Sequence, residues 1–171
     1  MDIRQAKIDD LVKIKELLRL AFAGVEYSDG QEAELVDNLF KSSSYIPELT
    51  LVAEIDEKIV GFIMFSRAYV GQVTVLALAP LAVLPEFQNQ GIGSLLVRQG
   101  HQIARKILCP YSIVLGNPAY YQRFGYRSAD QFGINSPFEV AKEYFMALKL
   151  DSVAMTLSGT MRYDPAFKIE E

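Results

Sequence analysis

Residues that build metal centres and covalent cross-links are nearly absent from this chain. Its one cysteine, Cys109, cannot form an internal disulfide, which suits a reducing compartment and a cytoplasmic address. Its one histidine, His101, falls within a long helical stretch and reads as a surface or packing residue. No set of His, Cys, Asp and Glu has metal-ligand spacing and no serine triad is suggested, so no metal is expected. Long apolar runs are missing too. The longest, Val73 to Pro85, falls short of the about 20 residues a membrane helix needs, is interrupted by Pro80 and reads as a buried strand. The N-terminal "MDIRQAKIDD" is charged and has no apolar core, so neither a secretory signal nor a membrane partner is expected. Positive charge is in deficit: a net charge of −4 and a pI near 5.1 argue against nucleic acid as partner.

What is present is ordinary globular material. Half of the 171 residues are hydrophobic, without repeats or low-complexity segments, enough for one α/β domain over residues 1–171. "DIRQAK" reads as a first strand. Asp9 or Asp10 can cap a helix whose apolar face runs Leu11, Ile14, Leu17, Leu18, Ala21 and Phe22. A second helix presents Leu35, Val36, Leu39 and Phe40. "LTLVAEI" and "IVGFIMFSRAYV", joined by "DEK", predict an antiparallel hairpin. A strand from Gln72 to Val83 carries Pro80, which marks an edge, a bulge or a break. The helix that follows aligns Ile92, Leu96, Ile103 and Ile107, with Gly100 in the same row where close packing on a sheet favours it. "YSIVLG" predicts a strand. "NPAYYQRFGY" then opens with a proline suited to a first helical turn and closes with a glycine suited to a C-cap. "YFMALKL" and "SGTMRY" predict two further strands.

The segment "PEFQNQGIGSLL" is unusual because two glycines stand at the start of a helix, where each weakens it by about 1 kcal/mol relative to alanine. A strand, a glycine turn and a helix together offer free backbone N–H groups and a positive helix end, a seat for phosphate. The glycines alone also fit a tight turn that holds nothing. Two phosphate motifs are excluded. No lysine follows the glycines as a Walker loop requires, and Leu96 stands where a dinucleotide fingerprint needs glycine or alanine.

"LAVLPEFQNQGIGSLL" resembles the cofactor motif of the GNAT superfamily of acetyl-CoA-dependent N-acetyltransferases, Gln/Arg-x-x-Gly-x-Gly/Ala, matched by Gln88, Gly91 and Gly93. A second signature, Tyr-x-x-x-Gly-Phe/Tyr, is matched downstream by Tyr121, Gly125 and Tyr126. "IRQAKIDD" is similar to the usual first strand and helix cap, and "FMALKL" with "SGTMRYDPAF" resembles a bacterial subgroup of acetyltransferases, so the likeness spans nearly the whole chain. The resemblance implies a mixed, mostly antiparallel central sheet flanked by helices, with strands 72–83 and 113–115 splayed to form a cofactor slot. By similarity the backbone of Leu81, Ala82 and Val83 pairs with pantetheine amides. The turn of Gln88, Asn89, Gln90, Gly91, Ile92, Gly93 and Ser94 binds the cofactor, its N–H groups from Asn89 onward gripping the pyrophosphate. Asn117 is a candidate contact to the cofactor arm.

The reaction implied is direct attack of a primary amine on the thioester in a ternary complex, with acetyl-CoA as co-substrate. The Val83 N–H is the candidate donor to the developing oxyanion. Tyr121 matches the tyrosine that protonates the departing thiolate, with Tyr120 a rival, and a phenol of pKa about 10 can donate at neutral pH without tuning. No general base is assigned: Glu26, Asp29 and Glu32 border the expected substrate loop but read as solvated acids. The acceptor is a small-molecule amine or a peptide, and the chain is expected to be a monomer or a homodimer. An acyl-CoA-binding module without turnover, or an interaction domain, remains open as an alternative function.

Overall fold

Arg4 fixes how the chain begins. Its guanidinium donates to Asp10 Oδ2 at 2.8 Å and to Glu54 Oε2 at 2.7 Å, and the Lys7 N–H donates to Asp10 Oδ2 at 2.7 Å. Two acids and one planar fork thereby tie together β1 (Asp2–Gln5), β2 (Thr50–Ile55) and the start of α1 (Leu11–Phe22). The hydrogen bonds from Arg4 hold the Asp10 carboxyl below the usual carboxylate range.

The computed structural model describes residues 1–169, which gather into two compact units. The first comprises Met1–Phe65 and Ala79–Gly100, the second Ser66–Leu78 and the residues from His101 on. Three elements contribute to both: β3 (Lys58–Val70), β4 (Val73–Val83) and α3 (Ile92–Lys106).

In the first unit β1 pairs antiparallel with β2, Asp2 opposite Glu54 through Gln5 opposite Leu51. β2 pairs antiparallel with β3, with a register shift at Ala53/Glu54. Asp56 and Glu57 both take positive φ, 49° and 64°, the geometry that matches a tight turn to the twist of its strands. α1 buries Ile14, Leu17 and Leu18, and α2 (Glu32–Phe40) buries Ala33, Val36 and Leu39, the faces expected from their spacing. The start of α3 buries Ile92, Leu96 and Val97. Gly100 packs against Phe65 of β3: an added Cβ would stand 2.7 Å from Phe65 Cζ, so the buried ring would have to shift.

In the second unit β4 pairs in parallel with β5 (Tyr111–Leu115), through Leu76 opposite Ser112 and Ala77 opposite Ile113. β5 then pairs antiparallel with β8 (Phe145–Lys149) along its whole length, and the short β6 (Arg127–Ser128) lies on the other side of β8. β9 (Gly159–Arg162) pairs antiparallel with the end of β3 and in parallel with β7 (Ile134–Asn135). Pairing therefore follows the order β1-β2-β3-β4-β5-β8-β6, mostly antiparallel, and with the helices this is the mixed α/β class implied by the sequence. β6 and β7 went unpredicted, because two-residue strands carry no alternation to read. Ile107, expected on the buried row of α3, is instead 41% exposed, since the helix ends at Lys106 and the chain has left the row by then. No helix among the described residues is long and apolar enough to cross a membrane, and none of their His, Cys, Asp and Glu groups could hold a metal ion.

Candidate active site

The glycine turn lies in the first unit. After Val83 the chain leaves the strand through buried Leu84, whose N–H donates to Val60 O at 2.9 Å. Successive N–H groups of an extended chain point to opposite edges, so the Val83 N–H is directed away from β3. Pro85 then opens a short 3-10 turn, Pro85–Phe87, with Phe87 N–H donating to Leu84 O at 2.9 Å. Two glutamines fasten this turn from outside: Gln88 Nε2 donates to Val83 O at 3.0 Å and Gln90 Nε2 to Glu86 O at 3.3 Å. A role for the Gln88 side chain in clamping the end of β4 was not read from the sequence.

Asn89 and Gly91 take left-handed φ of 62° and 84°, and α3 begins at Ile92. Its first bond runs from Leu95 N–H to Gly91 O, 3.1 Å. Among the described residues none accepts a hydrogen bond from the six consecutive N–H groups of Asn89 to Ser94. Apart from its two chain neighbours, no described residue has an atom within 4 Å of a Cβ built on Gly91. Glycine stands there for its backbone angle, on an exposed turn where no further residue packs against it. The donor set suits a diphosphate: several N–H groups, a positive helix end, and Gln88, Asn89, Gln90 and Gly91 exposed. Ile92 is buried at 4% and anchors the turn from below. Leu81 and Val83 are half-buried and Ala82 is buried.

The tyrosine element lies in the second unit and is built around a capped turn. Asn117 Oδ1 accepts from the Ala119 N–H at 2.9 Å, Pro118 occupies the first position of α4 (Pro118–Tyr121), and Gly125 closes the segment with φ of 96°. Asn117 is thus an N-cap, with its carbonyl oxygen engaged by the chain itself. Tyr121 is half-buried. Its ring rests on Gly116, where an added Cβ would come within 2.6 Å of Cε2. Two other tyrosine rings meet it edge to face, Tyr120 at 4.9 Å and Tyr126 at 5.7 Å between centroids. Tyr120 is engaged on its other side by the Arg123 guanidinium, 4.5 Å from the ring centre, so the rival phenol is held in a cation–π contact.

Behind Tyr121 lies a buried polar group that sequence reasoning missed. The Tyr126 hydroxyl lies 2.8 Å from His101 Nε2 and 2.7 Å from Ser112 Oγ, all three residues being buried. Burial pushes the Tyr126 phenol well above its ordinary range, so it remains protonated. The signal for His101 was present, because it follows Val97 and precedes Ala104 on one buried helical row. Its partners were hidden by sequence distance. The loop acids are engaged locally: Asp29 Oδ1 accepts the Gln31 N–H at 2.9 Å, Glu32 accepts from the Ser28 hydroxyl, and Glu26 is exposed.

Comparison with known proteins gives this pair of elements its family. Residues 11–126 match the Acetyltransferase (GNAT) family. The N-acetyltransferase YjhQ of Escherichia coli K12 is 37% identical over 140 residues, 77% of each chain. YhbS of the same organism is 30% identical over 162 residues, covering 92% of this chain and 93% of its own. Among solved structures, a GNAT family acetyltransferase from Brucella melitensis in complex with acetyl-CoA is 30% identical with a TM-score of 0.82, covering 97% of both chains. YhbS in complex with CoA is 27% identical with a TM-score of 0.88, covering 98% of this chain and 91% of that one. The chain belongs to the GNAT family of acetyltransferases, as the two sequence motifs implied.

Proposed function

We propose that this protein transfers an acetyl group from acetyl-CoA to a primary amine of a small molecule or a peptide, by direct attack in a ternary complex. The observation that carries the reading is the run of six backbone N–H groups, Asn89 to Ser94, without acceptors among the described residues at the exposed start of α3. These amides bind the diphosphate of the co-substrate, and Leu81, Ala82 and Val83 supply backbone groups for its pantetheine arm. Acetyl-CoA complexes of the Brucella relative support that choice of donor. When bound, acetyl-CoA supplies a thioester carbonyl activated toward amines.

The chain's own residues then align, polarise and protonate. The Val83 N–H, directed away from β3, donates to the carbonyl oxygen as negative charge gathers there. The Gln88 bond to Val83 O holds that peptide segment in place, so the donor needs no reorganisation during reaction. Tyr121 holds a proton on its phenolic oxygen for the departing sulfur. As the nitrogen–carbon bond forms and the carbon–sulfur bond breaks, Tyr121 would give that proton to the departing thiolate, and the proton shed by the amine would return through solvent to the Tyr121 phenolate. Asn117 shapes the first turn beneath Tyr121 and offers its amide nitrogen to the cofactor arm.

The test is an acceptor screen following thiol release from acetyl-CoA across polyamines, amino acids, aminoglycosides and peptides, with mass spectrometry of the product. The reading predicts an acetylated amine for at least one class and one thiol released per acetyl transferred. CoA binding with no turnover on any amine would replace it with a non-catalytic acyl-CoA-binding module.

A further inference from the structure

Tyr126 joins three parts of the second unit. Its ring lies edge to face against Tyr121, its backbone N–H donates to Tyr121 O at 3.4 Å, and its hydroxyl reaches His101 on α3 and Ser112 on β5. The residue is 1% exposed, so its orientation is set by these partners and not by solvent. A phenol has one proton and two lone pairs, so the hydroxyl can donate to one neighbour and accept from the other, satisfying both. Tyr121 has correspondingly little freedom. Gly116 lies under its ring, Tyr120 and Tyr126 stand at its edges, and Phe124 lies 6.4 Å away.

From this geometry we propose that Tyr126 is the positioning residue of the active site: its hydroxyl, pinned between His101 and Ser112, fixes the ring that aims the Tyr121 phenol at the departing sulfur. The proposal rests on the catalytic role given to Tyr121 above. A fold needing only an aromatic filler here has no use for the hydroxyl, which obliges the interior to supply two buried polar partners from two other elements. Removing it takes away the hydrogen bonds to His101 Nε2 and to Ser112 Oγ, and with them the two contacts that fix the ring. Proton transfer is sensitive to such shifts, because a displacement of about 1 Å can cost a hundredfold in rate.

The experiment is a double-mutant cycle on kcat, with Tyr126→Phe and Tyr121→Phe made singly and together, and CoA affinity measured by calorimetry for each. Tyr126→Phe is expected to lower kcat by about tenfold, with the Kd for CoA within about twofold of the parent. In the Tyr121→Phe background the same change is expected to alter kcat by less than about twofold, since the group it aims is gone. Ser112→Ala, which removes one anchor and leaves the phenol, is expected to lower kcat in the same direction by a smaller factor, and it serves if Tyr126→Phe does not fold. A normal kcat for Tyr126→Phe, or an equal loss in both backgrounds, overturns the inference while leaving Tyr121 in place. A normal kcat for Tyr121→Phe overturns the Tyr121 role itself, and this inference with it.

Discussion

Replacing Gly91 by valine separates what the turn does for folding from what it does for binding. Gly91 has φ of 84°, and apart from its chain neighbours no described residue has an atom within 4 Å of a Cβ there. The penalty to the fold is therefore conformational: about 1–2 kcal/mol for an L-residue in the left-handed region, somewhat more for a β-branched one. A domain stable by about 5–15 kcal/mol survives that loss. Binding is affected for another reason, because the new side chain adds bulk on the exposed turn proposed to seat the diphosphate. Losing one charge-assisted hydrogen bond to a phosphate removes about 1.5–3 kcal/mol, which corresponds to a roughly ten- to hundredfold rise in the Kd for CoA. The assay is a calorimetric titration with CoA alongside thermal unfolding of the same sample. A lowered melting temperature with unaltered CoA affinity would refute the reasoning, because the turn would then be structural only.

Tyr121→Phe should lower kcat more than about tenfold with CoA affinity nearly unchanged, and equal activity in mutant and parent would remove Tyr121 from the mechanism. Gly116→Ala places a methyl 2.6 Å from the present position of Tyr121 Cε2, so the ring must move. Steady-state kinetics should register a fall in kcat of about tenfold or more with little change in melting temperature, and a normal kcat would mean that Tyr121 is not held by its seat. Asp10 provides a pH test. Its folded-state carboxyl titrates below the ordinary value of about 3.9, so its contribution is complete above that pH and is lost as pH falls through the lower folded-state value. The stability difference between parent and Asp10→Asn in urea unfolding should therefore hold from pH 7 to about 5 and shrink below about pH 4. A difference constant down to about pH 2.5 would contradict the Arg4–Asp10 account.

The parts of the fold legible in the sequence are those governed by local repetition. The buried faces of α1 and α2 follow from spacing of three and four residues, and the hairpin of β2 and β3 from two apolar runs broken by "DEK". The turn at Pro118 and the glycine cap at Gly125 were readable because each residue type has one conformational reason to be there. The candidate site was legible where it is backbone, since glycine positions announce a left-handed turn at a helix start. It was illegible where side chains from distant positions meet. His101 and Tyr126 stand 25 residues apart and Ser112 and Tyr126 stand 14 apart, and no periodicity links them. Gln88 was identified by its place in a motif, yet its contact with Val83 O depends on the curl of the Pro85–Phe87 turn, which sequence spacing does not specify.

The most direct test of the account is a CoA titration of the 15N-labelled protein, following backbone amide shifts. The large, saturable shifts should fall on the amides of Asn89 to Ser94, which have no acceptor among the described residues. Saturable binding that leaves those six amides unmoved while others shift would contradict it.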